Sequence, residues 1–83
     1  MAKRIVWTDQ AKADVRGIEQ TAAIQVLKTL ARYASKGRGN VKQLQGIEPP
    51  LLRLRSQDRR VLFRDKGDYL EIMRVVDRKE AYR

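Results

Sequence analysis

The sequence predicts an α+β fold in which a helix hairpin packs on one face of a small antiparallel sheet. In the first half of the chain, apolar residues recur every three or four positions, the spacing of one helix face. In the second half they alternate with charged residues, the spacing of strands. The predicted order is β-α-α-β-β-β, and a helix pair followed by three consecutive strands favours a sheet covered on one side.

The first strand and helix are predicted from a short β-rich run and a capping residue. Residues 4–7 read Arg-Ile-Val-Trp, a strand-like composition. Thr8 is suited to cap the following helix with its hydroxyl, and Asp9 suits its first turn. Gly17 is expected near the end of this helix, whose apolar face consists of Ala11, Val15 and Ile18.

The second helix has the clearer periodicity, and a glycine marks its end. Its apolar positions are Ala23, Val26, Leu27, Leu30, Ala31 and Ala34. Gly37 is the expected residue just beyond the helix, in the left-handed conformation that glycine adopts easily. Residues 43–50 are expected to connect the helices to the strands, because Pro49 and Pro50 do not suit a central strand.

Three strands are predicted after the connector, over residues 51–55, 59–65 and 69–76. Turns at 56–58 and 66–68 separate them, and the second contains a glycine. Side chains alternate across each strand, so Leu52, Leu54, Val61 and Phe63 should face the helices, whereas Leu62 falls on the opposite face. The opposite face should then display Arg53, Arg55, Arg60 and Arg64.

This predicted arginine cluster indicates an anionic partner. Cross-strand neighbours lie about 5 Å apart, so like charges repel unless an anion lies between them. Guanidinium groups bind phosphate well because two N–H groups donate in parallel. The alternative is a solvated charged face that limits edge-to-edge aggregation.

Composition excludes several classes of function. The chain has 83 residues, enough for one domain over 1–83, and a net charge of +9. It has no cysteine and no histidine, which excludes disulfides, thiolate zinc sites and the commonest catalytic base. We expect no metal, no cofactor and no small-molecule substrate. No apolar run approaches the roughly 20 residues of a membrane span, and no signal peptide is evident, so a cytoplasmic protein is expected.

If the chain is an enzyme, its chemistry must depend on Arg, Lys and Tyr. Phosphoryl transfer on RNA is compatible with these residues, because arginines stabilise the charge that develops on the phosphate. Tyr82 is the best candidate for proton transfer, and the alternative is that it packs at the end of the chain.

Three segments resemble the RelE/ParE toxin superfamily. Residues 52–64, Leu-Arg-Leu-Arg-Ser-Gln-Asp-Arg-Arg-Val-Leu-Phe-Arg, resemble its central hairpin. Residues 73–83 are similar to its closing segment, where an Arg-x-x-x-Tyr ending is typical. Residues 42–46, Lys-Gln-Leu-Gln-Gly, match a Lys-x-Leu-x-Gly motif that precedes the hairpin. Nearly the whole chain is covered by the resemblance.

The resemblance implies a type II toxin that a cognate antitoxin holds inactive. In the RelE branch it would cleave mRNA in the ribosomal A site, so the ribosome and mRNA are the expected partners. The implied catalytic residues are Arg53, Arg60, Arg78 and Tyr82. The residues expected to bind RNA are Lys42, Arg55, Arg59 and Arg64. The chain departs from the family pattern at Leu51, Arg59 and Asp77, and Asp77 could pair with Arg78.

Two other functions stay open on the sequence. One is a ParE-like toxin that inhibits DNA gyrase by binding and does not need Tyr82. The other is a plain nucleic-acid-binding module. In a toxin, the antitoxin should place an acidic or amphipathic segment over the helices or over the basic face.

Overall fold

The computed structural model describes residues 2–79, which form two helices and one five-stranded sheet. The strand order across the sheet is β1-β5-β4-β3-β2. The elements are β1 (Arg4–Trp7), α1 (Asp9–Arg16), α2 (Gln20–Lys36), β2 (Val41–Gln43), β3 (Leu52–Ser56), β4 (Arg59–Asp65) and β5 (Tyr69–Asp77). The predicted α+β class and helix hairpin are confirmed.

The sheet is mixed, so the prediction of an antiparallel sheet is wrong for one strand pair. β1 runs parallel to β5, whereas the other three pairs are antiparallel. The two helices follow β1 in the chain, and β5, the last strand, pairs with β1 at the edge of the sheet. The sequence also did not predict β2, which has only three residues and is too short to show an alternating pattern.

Local signals for the helix ends are confirmed. The Thr8 hydroxyl accepts a hydrogen bond from the Ala11 N–H at 3.2 Å, and α1 ends at Gly17. Gly37 follows α2 with φ of 68°, and its N–H donates to the Tyr33 carbonyl. This conformation is strained for residues that carry a Cβ, which explains why glycine stands there.

The core lies between the helix pair and one face of the sheet. Its fully buried side chains include Val26 and Leu30 of α2, and Leu54, Phe63 and Ile72 of the sheet. The Tyr33 and Phe63 rings meet edge to face with centroids 5.4 Å apart. The alternation predicted for the hairpin strands is therefore confirmed: Leu54, Val61 and Phe63 face the helices, whereas Leu62 lies on the opposite face beside Arg53.

Helix α1 also covers an edge of the sheet. The pairing of β1 with β5 ends at Trp7 and Ile72, and no other strand of residues 2–79 pairs with the rest of that β5 edge. The Asp14 carboxylate accepts the Val75 N–H at 2.9 Å and the Arg74 Nε at 2.8 Å. No helix in residues 2–79 is long and apolar enough to cross a membrane.

Candidate nucleic-acid interface

The side of the sheet opposite the helices carries a group of cations that we call the arginine face: Lys42, Arg53, Arg55, Arg60 and Arg64. The strand register arranges them in rows. Arg55 lies opposite Arg60, Lys42 lies opposite Arg53, and Arg64 lies opposite the acidic Glu71. Successive rows are about 6.6 Å apart along the strands. The prediction that the four arginines share one face is confirmed.

Arg60 is not displayed as the sequence predicted, because only 4% of the residue is exposed. Its Nη1 donates to the Gln57 carbonyl at 2.6 Å and to the Arg59 carbonyl at 3.0 Å. The tight turn between β3 and β4 directs these carbonyls toward the guanidinium and draws it inward. Among residues 2–79, the buried Nε of Arg60 has no hydrogen-bond acceptor. Arg60 therefore places a fixed charge just below the surface.

The other members of the arginine face are more accessible. Arg55 and Lys42 are exposed, whereas Arg53 and Arg64 are half-buried. The Arg53 Nη2 donates to the Asn40 Oδ1 at 3.2 Å, and the Arg64 Nη1 lies 3.8 Å from the Met73 sulfur. These contacts restrain two guanidinium groups, so part of the ordering that an anion would require is already present.

Arg59 lies at the end of the sheet and not on the arginine face. It shares the face of Val61 and forms an ion pair with Asp77 at 3.0 Å. Asp77 thus pairs with Arg59, not with Arg78 as the sequence had suggested. The hydrogen bond from the Lys79 N–H is the largest influence on the pKa of Asp77 and lowers this pKa. Desolvation raises the pKa of Asp77 in part, and the charge of Arg59 lowers it further. This pair orients the backbone that leads to Arg78.

Arg78 lies at the same end of the sheet as Arg55 and Arg60. Its N–H donates to the Asp58 carbonyl at 2.9 Å, which extends the pairing of β4 and β5 by one step. An open cavity of about 270 Å³ borders Arg78 here, lined also by Asp58, Arg59, Asp77 and Lys79. Tyr82, the candidate for proton transfer, lies outside the described residues.

The sequence reasoning missed one cation on this side of the sheet. Arg4 of β1 lies opposite Tyr69, and its guanidinium carbon is 5.8 Å from the centre of that ring. The sequence predicts only that Arg4 belongs to a strand, because no local signal places β1 beside β5. Among residues 2–79, no three acidic side chains converge to hold a metal ion. The arrangement is suited to binding a polyanion through guanidinium groups.

Comparison with known proteins identifies the fold. No family model and no curated protein sequence matches the chain. Among solved structures, it is similar to the archaeal RelE–RelB complex of Pyrococcus horikoshii, with a TM-score of 0.74, 19% identity, and coverage of 94% of this chain and 97% of that chain. It is also similar to the RelB–RelE antitoxin–toxin complex of Methanococcus jannaschii, with a TM-score of 0.75, 15% identity, and coverage of 93% of this chain and 94% of that chain. For a mutant of Escherichia coli toxin RelE in the free state, the TM-score is 0.73 and the identity 20%, with coverage of 99% of this chain and 90% of that chain. The chain therefore has the fold of the RelE toxins, as the resemblance implied.

Proposed function

We propose that this protein is the toxin of a type II toxin–antitoxin system and that it cleaves mRNA on the ribosome in the cytoplasm. The observation that carries the proposal is the arginine face on a fold that matches RelE toxins over almost their whole length. A single-stranded polyanion lying across rows of guanidinium groups would relieve their mutual repulsion.

The proposed reaction is an attack of the RNA 2′-hydroxyl on the adjacent phosphate. The 2′-hydroxyl loses its proton and a 2′,3′-cyclic phosphate forms, while the bond to the 5′-oxygen of the next nucleotide breaks and that oxygen takes up a proton. The attacking group belongs to the substrate, so the protein chiefly positions the chain and balances charge. We assign phosphate binding to Arg53, Arg60 and Arg78, and proton transfer or base stacking to Tyr82. Lys42, Arg55 and Arg64 would hold the flanking phosphates, and Arg59 would act from the end of the sheet.

A cell-free translation assay with purified protein tests this activity, with mRNA 5′ ends mapped by primer extension. The protein should cut mRNA at codons occupied by the ribosome. A variant with both Arg60→Ala and Tyr82→Phe should lose the cuts. Arg32→Ala, which removes an exposed cation from α2 on the other side of the sheet, should keep them.

Intact mRNA and undiminished translation would contradict the nuclease. A supercoiling assay with DNA gyrase would then test the ParE-like alternative, in which Tyr82→Phe should have no effect. The cognate antitoxin is part of the proposal, and the RelE–RelB complexes among the similar structures support it.

A further inference from the structure

The end of the sheet away from Arg78 carries an aromatic ring on the side of the arginine face. Tyr69, the first residue of β5, lies opposite Arg4 of β1. Their neighbours Ile5 and Leu70 face the core. Because side chains alternate along a strand, the Tyr69 ring and the Arg4 guanidinium lie on the other side of the sheet, with the arginines. Aromatic rings among cations on an open sheet are suited to stacking unpaired nucleobases.

The contact with Arg4 holds the Tyr69 ring in one orientation and leaves one of its faces open. The guanidinium carbon lies over the ring, 5.8 Å from its centroid, so the other ring face is turned away from β1. On the β4 side, the Lys66 N–H donates to the Tyr69 carbonyl at 2.9 Å, and the Lys66 side chain is exposed. Within residues 2–79, neither Arg4 nor Lys66 forms an ion pair. Both cations are thus available to the phosphates beside a stacked base.

A carboxylate without a protein partner lies next to this ring. Glu71 follows Tyr69 on the same face of β5, is half-buried, and lies opposite Arg64. The Arg64 Nη1 is directed to the Met73 sulfur, and in the part of the chain that the structure describes Glu71 forms no ion pair. A carboxylate on a surface that binds phosphates repels them. Its presence there is explained if it accepts a hydrogen bond from another part of the same ligand.

We propose that Tyr69 and Glu71 bind one unpaired base of a single-stranded RNA and that Glu71 selects a base with an exocyclic amino group. The base stacks on the ring face that Arg4 leaves open. The Glu71 carboxylate then accepts a hydrogen bond from the amino group, as carboxylates do from N4 of cytosine. Uracil presents a carbonyl oxygen at that position, and two acceptors facing each other repel.

The distance from the proposed cleavage residues gives this site a positioning role. Arg60 and Arg64 are four residues apart on β4, about 13 Å along the strand, and Tyr69 lies beyond Arg64. A base bound there belongs to a nucleotide away from the cleaved bond, and it fixes the register of the strand on the arginine face. The assignment rests on the proposed function, since it takes single-stranded RNA to be the ligand of that face.

Binding of short oligonucleotides tests the stacking role of Tyr69. Oligonucleotides with 2′-O-methyl riboses lack the attacking hydroxyl, so fluorescence anisotropy then reports binding alone. Tyr69→Leu should weaken binding of an oligocytidine by roughly fivefold or more, because a base loses its stacking partner. Tyr69→Phe keeps the ring and should bind within about twofold of the unmodified protein. An abasic oligonucleotide has the same phosphates, and Tyr69→Leu should leave its affinity unchanged.

The ratio of affinities for oligocytidine and oligouridine tests the selective role of Glu71. The unmodified protein should favour oligocytidine by roughly threefold or more. Glu71→Gln should bring the ratio to about 1, because an amide can donate to uracil as well as accept from cytosine. Loss of the negative charge strengthens binding of both oligonucleotides, and the ratio cancels this effect. Glu19→Gln, the same change at an exposed position beside α2 on the other side of the sheet, should keep the ratio.

Several results would overturn the base site. They are equal weakening of the abasic and cytidine oligonucleotides by Tyr69→Leu, loss of binding in Tyr69→Phe, and an unchanged affinity ratio in Glu71→Gln. If Lys42→Ala weakens binding and Tyr69→Leu does not, the base site is rejected while RNA binding on the arginine face stands. If the expected effects of Tyr69 and Glu71 are found and mRNA stays intact in the translation assay, the base site stands and the nuclease is rejected.

Discussion

Arg55 and Arg60 are direct neighbours across β3 and β4 but have different surroundings. Arg55 is exposed, whereas Arg60 is buried and donates to two backbone carbonyls. A buried guanidinium that satisfies carbonyls contributes to folding, and an exposed one contributes little. Arg60 therefore stabilises the fold in addition to placing its charge at the arginine face, whereas Arg55 is available to a ligand without a structural role.

Alanine substitutions should separate these roles. Arg60→Ala should lower the free energy of unfolding by about 1–3 kcal/mol, because it leaves the carbonyls of Gln57 and Arg59 without this donor. Arg55→Ala should change it by less than about 0.5 kcal/mol. Urea denaturation measures both values. Equal effects on stability would show that the buried hydrogen bonds of Arg60 do not contribute to folding.

At the scale of the elements, one carboxylate attaches α1 to the sheet. Asp14 accepts hydrogen bonds from the Val75 N–H, from Arg74 and from Gln10. Burial by itself would raise the pKa of Asp14, but these three donors together outweigh it and hold the pKa below the usual 3.8. The charged form is thus the one that stabilises the contact between α1 and β5.

Removing this carboxylate should destabilise the protein in a pH-dependent way. Asp14→Ala should lower the free energy of unfolding at pH 7 by about 1–3 kcal/mol, since the Val75 N–H loses its acceptor. The pKa of Asp14 is lower in the folded protein than in the unfolded chain. The carboxylate therefore stabilises the folded protein fully at pH values above the unfolded pKa, and this stabilisation is lost as the pH falls through the folded pKa.

Urea denaturation between pH ~2 and ~7 measures the free energy of unfolding of Asp14→Asn and of the unmodified protein. The difference between these two free energies should become smaller below pH ~4. Asp68→Asn, at an exposed turn position, is the matched control and should show little difference throughout. A constant difference for Asp14→Asn across this range would mean that the charge of Asp14 is not what stabilises the contact.

The elements were predictable where short-range chemistry determines them. Thr8 and Gly37 marked helix ends, and β4 was predicted with the bounds that the structure has. The parallel pairing of β1 depends on contacts between distant residues, which local patterns do not report. The burial of Arg60 depends on the carbonyl directions of one tight turn, and alternation along a strand predicts only which face a residue takes.

At the scale of the whole molecule, the distribution of charge determines how binding should depend on salt. Five cations make up the arginine face, and each phosphate that they neutralise releases counterions. The logarithm of the affinity for single-stranded RNA should fall with the logarithm of salt concentration, with a slope of about −3.5 if all five engage.

Fluorescence anisotropy with a labelled RNA oligonucleotide measures this slope. Lys42→Ala should make the slope less steep by about 0.7, whereas Arg32→Ala, on α2 at the other side of the sheet, should leave it unchanged. A slope near zero, or an equal change in both variants, would contradict RNA binding on the arginine face.

The parallel pair β1–β5 also determines when the sheet can form completely during synthesis of the protein. The Thr8 hydroxyl donates to the Ile72 carbonyl, and these residues are 64 positions apart. A chain emerges from the ribosome beginning with its N-terminus, so β1 has no strand partner until β5 has been made. Contacts between such distant residues also form slowly. A ribosome that translates this protein therefore carries an unfinished sheet at least until the codons of β5 have been translated.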